Sequence, residues 1–97
     1  MEKPSYVYIM ASGLYGTLYI GVTSHLIRRV WQHRESVVDG FTSEYCVKRL
    51  VWFEQHTDIY SAITREKQIK KWRRDWKIEL IQKNNPLWRD LFSDICA

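Results

Sequence analysis

Cysteine is scarce in this chain, with Cys46 and Cys96 the only two in 97 residues. They form no CxxC or CxxH spacing, which excludes the common structural zinc sites. Cys96 stands next to the last residue, which argues against a structural disulfide. Glycine and proline number only four and two, and no linker, repeat or low-complexity segment occurs. No apolar run approaches the roughly 18 residues of a membrane span, and no signal peptide is present. A soluble cytoplasmic protein without a membrane partner is therefore expected. P-loop, GxSxG and paired-carboxylate motifs are also missing. Aromatic residues, in contrast, are plentiful: five Trp, six Tyr and three Phe. Hydrophobic content of 45% is that of a globular protein, and the length suits one domain spanning 1–97.

The charge is uneven. The chain carries +4, but 64–77 alone holds seven basic residues and two acids, a net +5. A local basic patch is the footprint of a phosphate-backbone partner. A charge run by itself also reads as a solvated helix face.

Tyr6 to Met10 and Leu18 to Thr23 read as two strands, with Ser12, Gly13 and Gly16 turning between them. Alternation puts Tyr8 opposite to Val7 and Ile9, and Tyr19, Gly21 and Thr23 opposite to Leu18, Ile20 and Val22. Paired as a hairpin, the strands bring Tyr8 and Tyr19 onto one less apolar face. Gly21 then leaves bare backbone for a ligand, which suggests a site rather than a core. Ser24 can N-cap a helix from His25 to Val38 with a stripe of Leu26, Val30 and Val37, stopped by Asp39-Gly40. An irregular connection follows from Phe41 to Val47. A third strand core is Leu50 to Phe53. Asp58 or Ser61 can cap a second helix from Ala62 to Arg73, with a break near Asp75 and a helical continuation from Trp76 to Lys83. Asn85 with Pro86 reads as the N-cap and first residue of a last helix ending at Phe92. The order is that of an α/β or α+β domain whose small sheet starts with an antiparallel hairpin.

Arg29 and His33 lie one turn apart on a helix face read as polar, with Arg28 beside them. Arginine can grip a phosphate bidentately, and histidine can move a proton. Spacing alone leaves open a solvated Arg–His pair. Glu66 falls within the second helix's apolar stripe of Ala62, Ile63, Ile69 and Trp72. A carboxylate there calls for a cation or a metal, an arginine or lysine serving equally well. Lys67, Lys70, Lys71, Arg73 and Arg74 are interleaved with Trp72 and Trp76. Such interleaving suits base stacking and phosphate contact, but the two tryptophans continue the stripe and read first as core. His25 and His56 read as surface or capping residues.

Together these pieces resemble the GIY-YIG nuclease superfamily. Its two naming motifs correspond to Val7-Tyr8-Ile9 and Tyr19-Ile20-Gly21. Arg29 follows Tyr19 by ten residues and His33 by four more, as in that family. The segment from Arg65 to Trp72 is similar to its glutamate-bearing helix. The run from Asn85 to Leu91 resembles the C-terminus of a short, stand-alone bacterial branch. The resemblance implies a three-stranded antiparallel sheet flanked by helices, and metal-dependent cleavage of DNA phosphodiesters, with DNA ahead of RNA, in a setting such as repair or recombination. It further implies that Glu66 binds one Mg²⁺ or Mn²⁺. Tyr8 and Tyr19 would flank the attacking water, Arg29 would stabilise charge on phosphate, and His33 would assist proton transfer. The family's late asparagine corresponds to Asn85. Arg28, Lys67, Lys70, Lys71, Arg73 and Arg74 would contact nucleic acid.

The chain departs from the pattern at two places. Tyr6 stands where the family's name carries Gly. Val22 follows Gly21, where some active members have lysine. The chain has no spare residues for a DNA-reading module, so structure-selective or weakly specific binding is expected. The alternative is a nucleic-acid-binding module that keeps the fold without cleaving. A weaker third reading is a protein-interaction domain. Oligomeric state is not legible from the sequence.

Overall fold

The computed structural model describes residues 4–35 and 44–96. The expected helix end at Val38, the stop at Asp39-Gly40 and the start of the connection at Phe41 lie outside the described residues. Strand β1 (Ser5–Ala11) is the centre of an antiparallel sheet of order β2-β1-β3, with β2 (Leu18–Thr23) and β3 (Arg49–His56) on its flanks. This is the three-stranded α+β architecture that the resemblance implied. Helix α1 (Leu26–Arg34) follows β2, and α2 (Ile59–Lys71), α3 (Arg74–Asn84) and the short α4 (Phe92–Cys96) follow β3. No helix among the described residues is long and apolar enough to cross a membrane.

Both faces of the sheet are covered. From Val7 to Ala11 every residue of β1 is fully buried, so the strand does not separate into a wet and a dry face. On one side Val7, Ile9, Ala11 and Ile20 meet Ala62 and Ile69 of α2 and Ile81 of α3. On the other, Tyr8 and Met10 meet Leu26 and Val30 of α1, with Val47 and Leu50. The expected less apolar Tyr8 face is thus a second core. Alternation along a strand reports facing, but it does not report whether a helix covers that face. Burial of a Val- or Leu-sized side chain contributes roughly 1.5–3 kcal/mol, and two such layers let a chain of this length hold together.

At the start of α1, Ser24 does not cap. His25 occupies the N-cap without a side-chain bond, and Thr23 Oγ1 accepts from its backbone N–H at 3.0 Å. For α2 the cap is Asp58, whose Oδ1 accepts from Ser61 N at 2.9 Å, so the helix begins at Ile59, three residues before the expected start at Ala62. That Ser61 N–H holds the Asp58 carboxyl below its ordinary value; desolvation opposes it, and Tyr60's N–H adds a lesser downward pull. The break between α2 and α3 falls at Trp72 and Arg73, both extended, rather than near Asp75. Asp75 instead sits in the first turn of α3, where a carboxylate favours the helix dipole.

The last expected helix is not there. Asn85 is the C-cap of α3, and 85–91 runs irregularly before α4. Trp88 explains it: the ring is fully buried with φ at 56°, a left-handed backbone that interrupts a helix. Asn85 spends its amide on this turn, donating to Arg89 O at 2.8 Å and accepting from Arg89 N at 3.0 Å. It also donates to Val51 O at 3.1 Å, at the point where β3 slips register against Ile9 and Met10. Asp90 does the capping further on, accepting from Phe92 N, and it pairs with Arg34 of α1.

Candidate functional site

The register sets Tyr8 directly across from Gly21 and Met10 across from Tyr19. Tyr8 and Tyr19 therefore lie diagonally on one face, with ring centroids 6.3 Å apart. The hairpin expectation holds here. Gly21 plays a different part from the one expected. A Cβ built on it would stand 2.5 Å from Tyr8 Oη and 2.6 Å from Cζ. The phenol of Tyr8 itself fills the space above Gly21, so that bare backbone receives a neighbouring ring and not a ligand. Glycine in an edge strand is a good seat for a cross-strand aromatic.

His33 completes the cluster, in a setting unlike the polar face expected of it. It is fully buried, its Nε2 lies 2.9 Å from Tyr8 Oη, and its ring packs 5.0 Å from Tyr19 and 5.7 Å from Tyr8. The cause is helical geometry: His33 is three residues after Val30 and joins the buried stripe of Leu26 and Val30. With the proton on Nδ1, Nε2 accepts from the Tyr8 hydroxyl. With both nitrogens protonated, the roles reverse. The pair is a short proton path between a phenol and an imidazole, out of bulk water. Tyr8 is sealed, whereas Tyr19 on the edge strand is half-buried and is the more accessible of the two residues.

Arg29 stands one turn before His33 and is half-buried. With Arg28, Thr23, His25 and Gln32 it lines a cleft of about 160 Å³ at the junction of β2 and α1. Thr23 and Gln32 escaped the sequence reading, although Gln32 is three residues after Arg29 and so on its face. Glu66 lies on α2, which packs over β1 and β2 on the opposite side of the sheet from α1. Its side chain is 14% exposed, and Lys70 Nζ is 3.6 Å away. Asn85 is 6% exposed and committed to Val51 and Arg89 as described. The contacts thus join Tyr8, Tyr19 and His33, with Arg29 on the same helix as His33. Glu66 and Asn85 stand on other elements.

The basic run is not uniform. Lys67, Lys70 and Lys71 are exposed on α2. Arg74 reaches back to the hairpin loop and donates to the carbonyls of Tyr15 and Gly16, each at 2.7 Å. That clamp, across 59 positions, had no local sequence signal. Arg73 pairs with Asp75 at 3.4 Å and lies 4.8 Å over the Trp76 ring. Trp72 packs against the core as expected, but Trp76 is 47% exposed.

Among the described residues no three His, Cys, Asp or Glu side chains gather as a metal cage. The donors present nevertheless fit one hydrated divalent cation. Glu66 is a half-buried hard oxygen donor whose nearest ammonium is beyond hydrogen-bond distance. Mg²⁺ commonly takes one or two carboxylates and completes its shell with water and phosphate oxygens.

The family model described as the GIY-YIG catalytic domain matches residues 4–79. A UPF0213 protein of Pediococcus pentosaceus is 34% identical over 68 residues, covering 70% of this chain and 72% of the relative. A UPF0213 protein of Bacillus cereus is 28% identical over 86 residues, covering 89% and 90%. In fold, the chain is similar to the solution structure of a UPF0213 protein from Bacillus halodurans, with a TM-score of 0.56, 24% identity, and coverage of 90% and 92%.

Proposed function

The chain belongs to the GIY-YIG family, and from that premise we propose that it is a metal-dependent nuclease hydrolysing DNA phosphodiesters with weak sequence preference. The observation that carries this reading is the buried Tyr8–His33 contact behind the more accessible Tyr19, one helical turn from Arg29. A structural aromatic cluster has no use for a titratable pair sealed behind an accessible phenol and beside an arginine-lined cleft. A proton relay does.

In this mechanism the phosphate sits against the cleft of Arg29, whose guanidinium holds non-bridging oxygens and opposes the charge growing on them. Water attacks phosphorus, the P–O bond to the leaving oxygen breaks, and that oxygen departs with the bonding pair and takes a proton from solvent. Tyr19, as the phenol open to the site, orients that water and takes its proton in phenolate form. An unperturbed phenol has a pKa near 10, so the positive charge of Arg29 is needed to hold the phenolate. Tyr8 and His33 form the second tier, keeping Tyr19 in place and offering the proton a route inward. Glu66 would hold the divalent cation, Mg²⁺ or Mn²⁺. When bound, that ion supplies Lewis-acid stabilisation of the phosphate and the leaving oxygen. Lys67, Lys70 and Lys71 supply screened attraction for the phosphate backbone.

The test is a panel of labelled single-stranded, duplex, nicked and branched DNAs, with RNA counterparts, incubated with Mg²⁺ or Mn²⁺. Wild type should cleave at least one of them. Arg29→Ala and Glu66→Gln should each lower the rate about 10²–10³-fold or more, the scale of losing one preorganised charge contact. Unchanged rates in both variants would sink the assignment. The second reading, a binding module that no longer cleaves, draws on Lys70 beside Glu66 and on Val22 after Gly21. Salt-sensitive binding by wild type without cleavage of any substrate would establish it in place of the first.

A further inference from the structure

Beyond the hairpin site, the corner between α2 and α3 carries an aromatic surface that the nuclease chemistry does not use. Trp72 and Trp76 meet edge to face, with centroids 6.2 Å apart. Trp72 packs into the core, but Trp76 leaves about half its surface open, at 47%. A cleft of about 300 Å³ lies between them, floored by Leu80 and rimmed by Glu79 and Lys83. That volume is at the lower end for small-ligand sites. Two guanidiniums already stack on this pair, Arg65 at 5.3 Å from Trp72 and Arg73 at 4.8 Å from Trp76. Along α3, Trp76, Leu80 and Lys83 recur at one-turn spacing, with Leu80 partly packed on the core beside the buried Ile81. Ile78, Leu80 and Ile81 all pack on the core, and Trp76 is the large apolar residue of α3 left half open.

We propose that Trp76 and the cleft beside it form a stacking site for an unpaired nucleobase. The substrate class would then be single-stranded nucleic acid, or the unpaired arm of a branched one. A half-open indole with a guanidinium over one part of it offers its remaining surface to any base, and the surrounding 64–77 segment carries a net +5 to meet the phosphates on either side. A corner brace alone would account for Trp72, whereas Trp76 stays 47% exposed even with Arg73 over its ring. A duplex keeps its bases stacked within the helix and presents only phosphates to this corner. The proposal rests on the nucleic-acid half of the reading above, and not on its catalytic half.

Fluorescence anisotropy with the full chain decides it, at low salt and with EDTA so that cleavage plays no part. The probes are a labelled mixed-sequence DNA of about 12 nucleotides, its blunt duplex, and the RNA of the same sequence. Trp76→Ala should weaken single-strand binding about 5- to 100-fold and duplex binding by less than about twofold. Trp76→Phe should restore most of the loss, and Trp76→Leu, apolar but without a π face, should not. Equal losses on DNA and RNA assign the site to the base alone, and a loss on one assigns it to that polymer. Unchanged single-strand affinity in Trp76→Ala, equal weakening of both DNA forms, or rescue by Leu would each overturn the proposal. Thermal melts check the fold, and if the alanine variant is unfolded, the Phe–Leu pair still decides. A protein that binds in this pattern but never cleaves refutes the nuclease and leaves the platform. One that cleaves while Trp76 is indifferent does the reverse.

Discussion

Gly21→Ala is a one-methyl change that tests how the tyrosine hairpin is built. The new Cβ would fall 2.5 Å from Tyr8 Oη, 2.6 Å from Cζ and 2.9 Å from Cε1. Carbon contacts are comfortable near 3.5–4.0 Å, so the ring must give way by about an ångström. It has little freedom to do so, because it is fully buried, is 2.9 Å from His33 Nε2 and packs against Tyr19. Overpacking of this kind costs about 1–3 kcal/mol. No glycine among the described residues has a positive φ, so alanine is compatible with the backbone at position 21 and regains about 0.4–1 kcal/mol from the unfolded chain. The net expectation is a loss of about 1–2 kcal/mol. At roughly 4–8 °C per kcal/mol for a domain of this size, the melting temperature should fall by about 5–15 °C. Gly13→Ala is the internal control, since a Cβ there meets nothing within 4 Å. It should melt at or above wild type. Adding Tyr8→Leu to Gly21→Ala should cost less than the sum of the two single changes, by about 1 kcal/mol, because the clash partner is gone. If Gly21→Ala melts like Gly13→Ala, the phenol does not sit over this glycine and the account of the motif is wrong.

Four other changes probe separate contacts. Tyr8→Phe leaves the buried His33 Nε2 without its hydroxyl partner, so stability should drop about 1–3 kcal/mol by denaturant unfolding, and wild-type stability would refute the contact. Asn85→Asp keeps the shape but removes the Nδ2 donor to Val51 O and Arg89 O. It should cost roughly 2–4 kcal/mol, and an unchanged midpoint would deny the amide that role. Arg74→Gln should leave global stability nearly intact but speed amide exchange around Tyr15 and Gly16, where its two hydrogen bonds are lost; unchanged exchange there would count against the clamp. Asp58 has a folded pKa below its ordinary value near 3.8, so its cap stabilises above that value and fades as pH falls through the folded one. The melting gap between wild type and Asp58→Ala should therefore narrow between pH 7 and about pH 3, and a gap that stays constant would contradict the linkage.

What the sequence made legible was whatever depends on local periodicity. Period two in Tyr6 to Met10 and Leu18 to Thr23 is enough to put Tyr8 and Tyr19 on one face, and the register agrees. Asp58 was legible as a cap because its partner is three residues away. Even His33 was within reach: Leu26, Val30 and His33 fall on one helical stripe, and only the habit of reading histidine as polar put it in solvent. The misread elements depend on distant partners. Asn85-Pro86 carries a sound local signal for a helix start, but Val51, 34 residues back, competes for the same amide, and Trp88 needs a backbone no helix allows. Trp76 continues the stripe of Trp72 on paper. The extended residues Trp72 and Arg73 end that helix and turn the next one to a new phase, which leaves the second indole half in water.

The sheet order constrains how a site could assemble from these parts. Tyr8, Tyr19 and His33 lie on the α1 side of the sheet, and α2 with Glu66 covers the other. The central strand is closed on both faces, so nothing the size of a phosphate passes through it. Two sides of such a sheet meet only at a free edge. Here one edge is β2, which carries Tyr19, and α2 lies over β1 and β2 more than over β3. A phosphodiester that touches both Arg29 and a cation held by Glu66 must therefore run along the outer edge of β2. This is a reason for glycine there that is independent of catalysis: with Gly21 housing the Tyr8 ring, the phenol is absorbed into the strand's own profile and the edge stays low. It also sorts the two tyrosines without any appeal to their acidity. Under the proposed nuclease reading, the residue on the edge strand is the one a substrate would meet, and the residue on the central strand would act only through it.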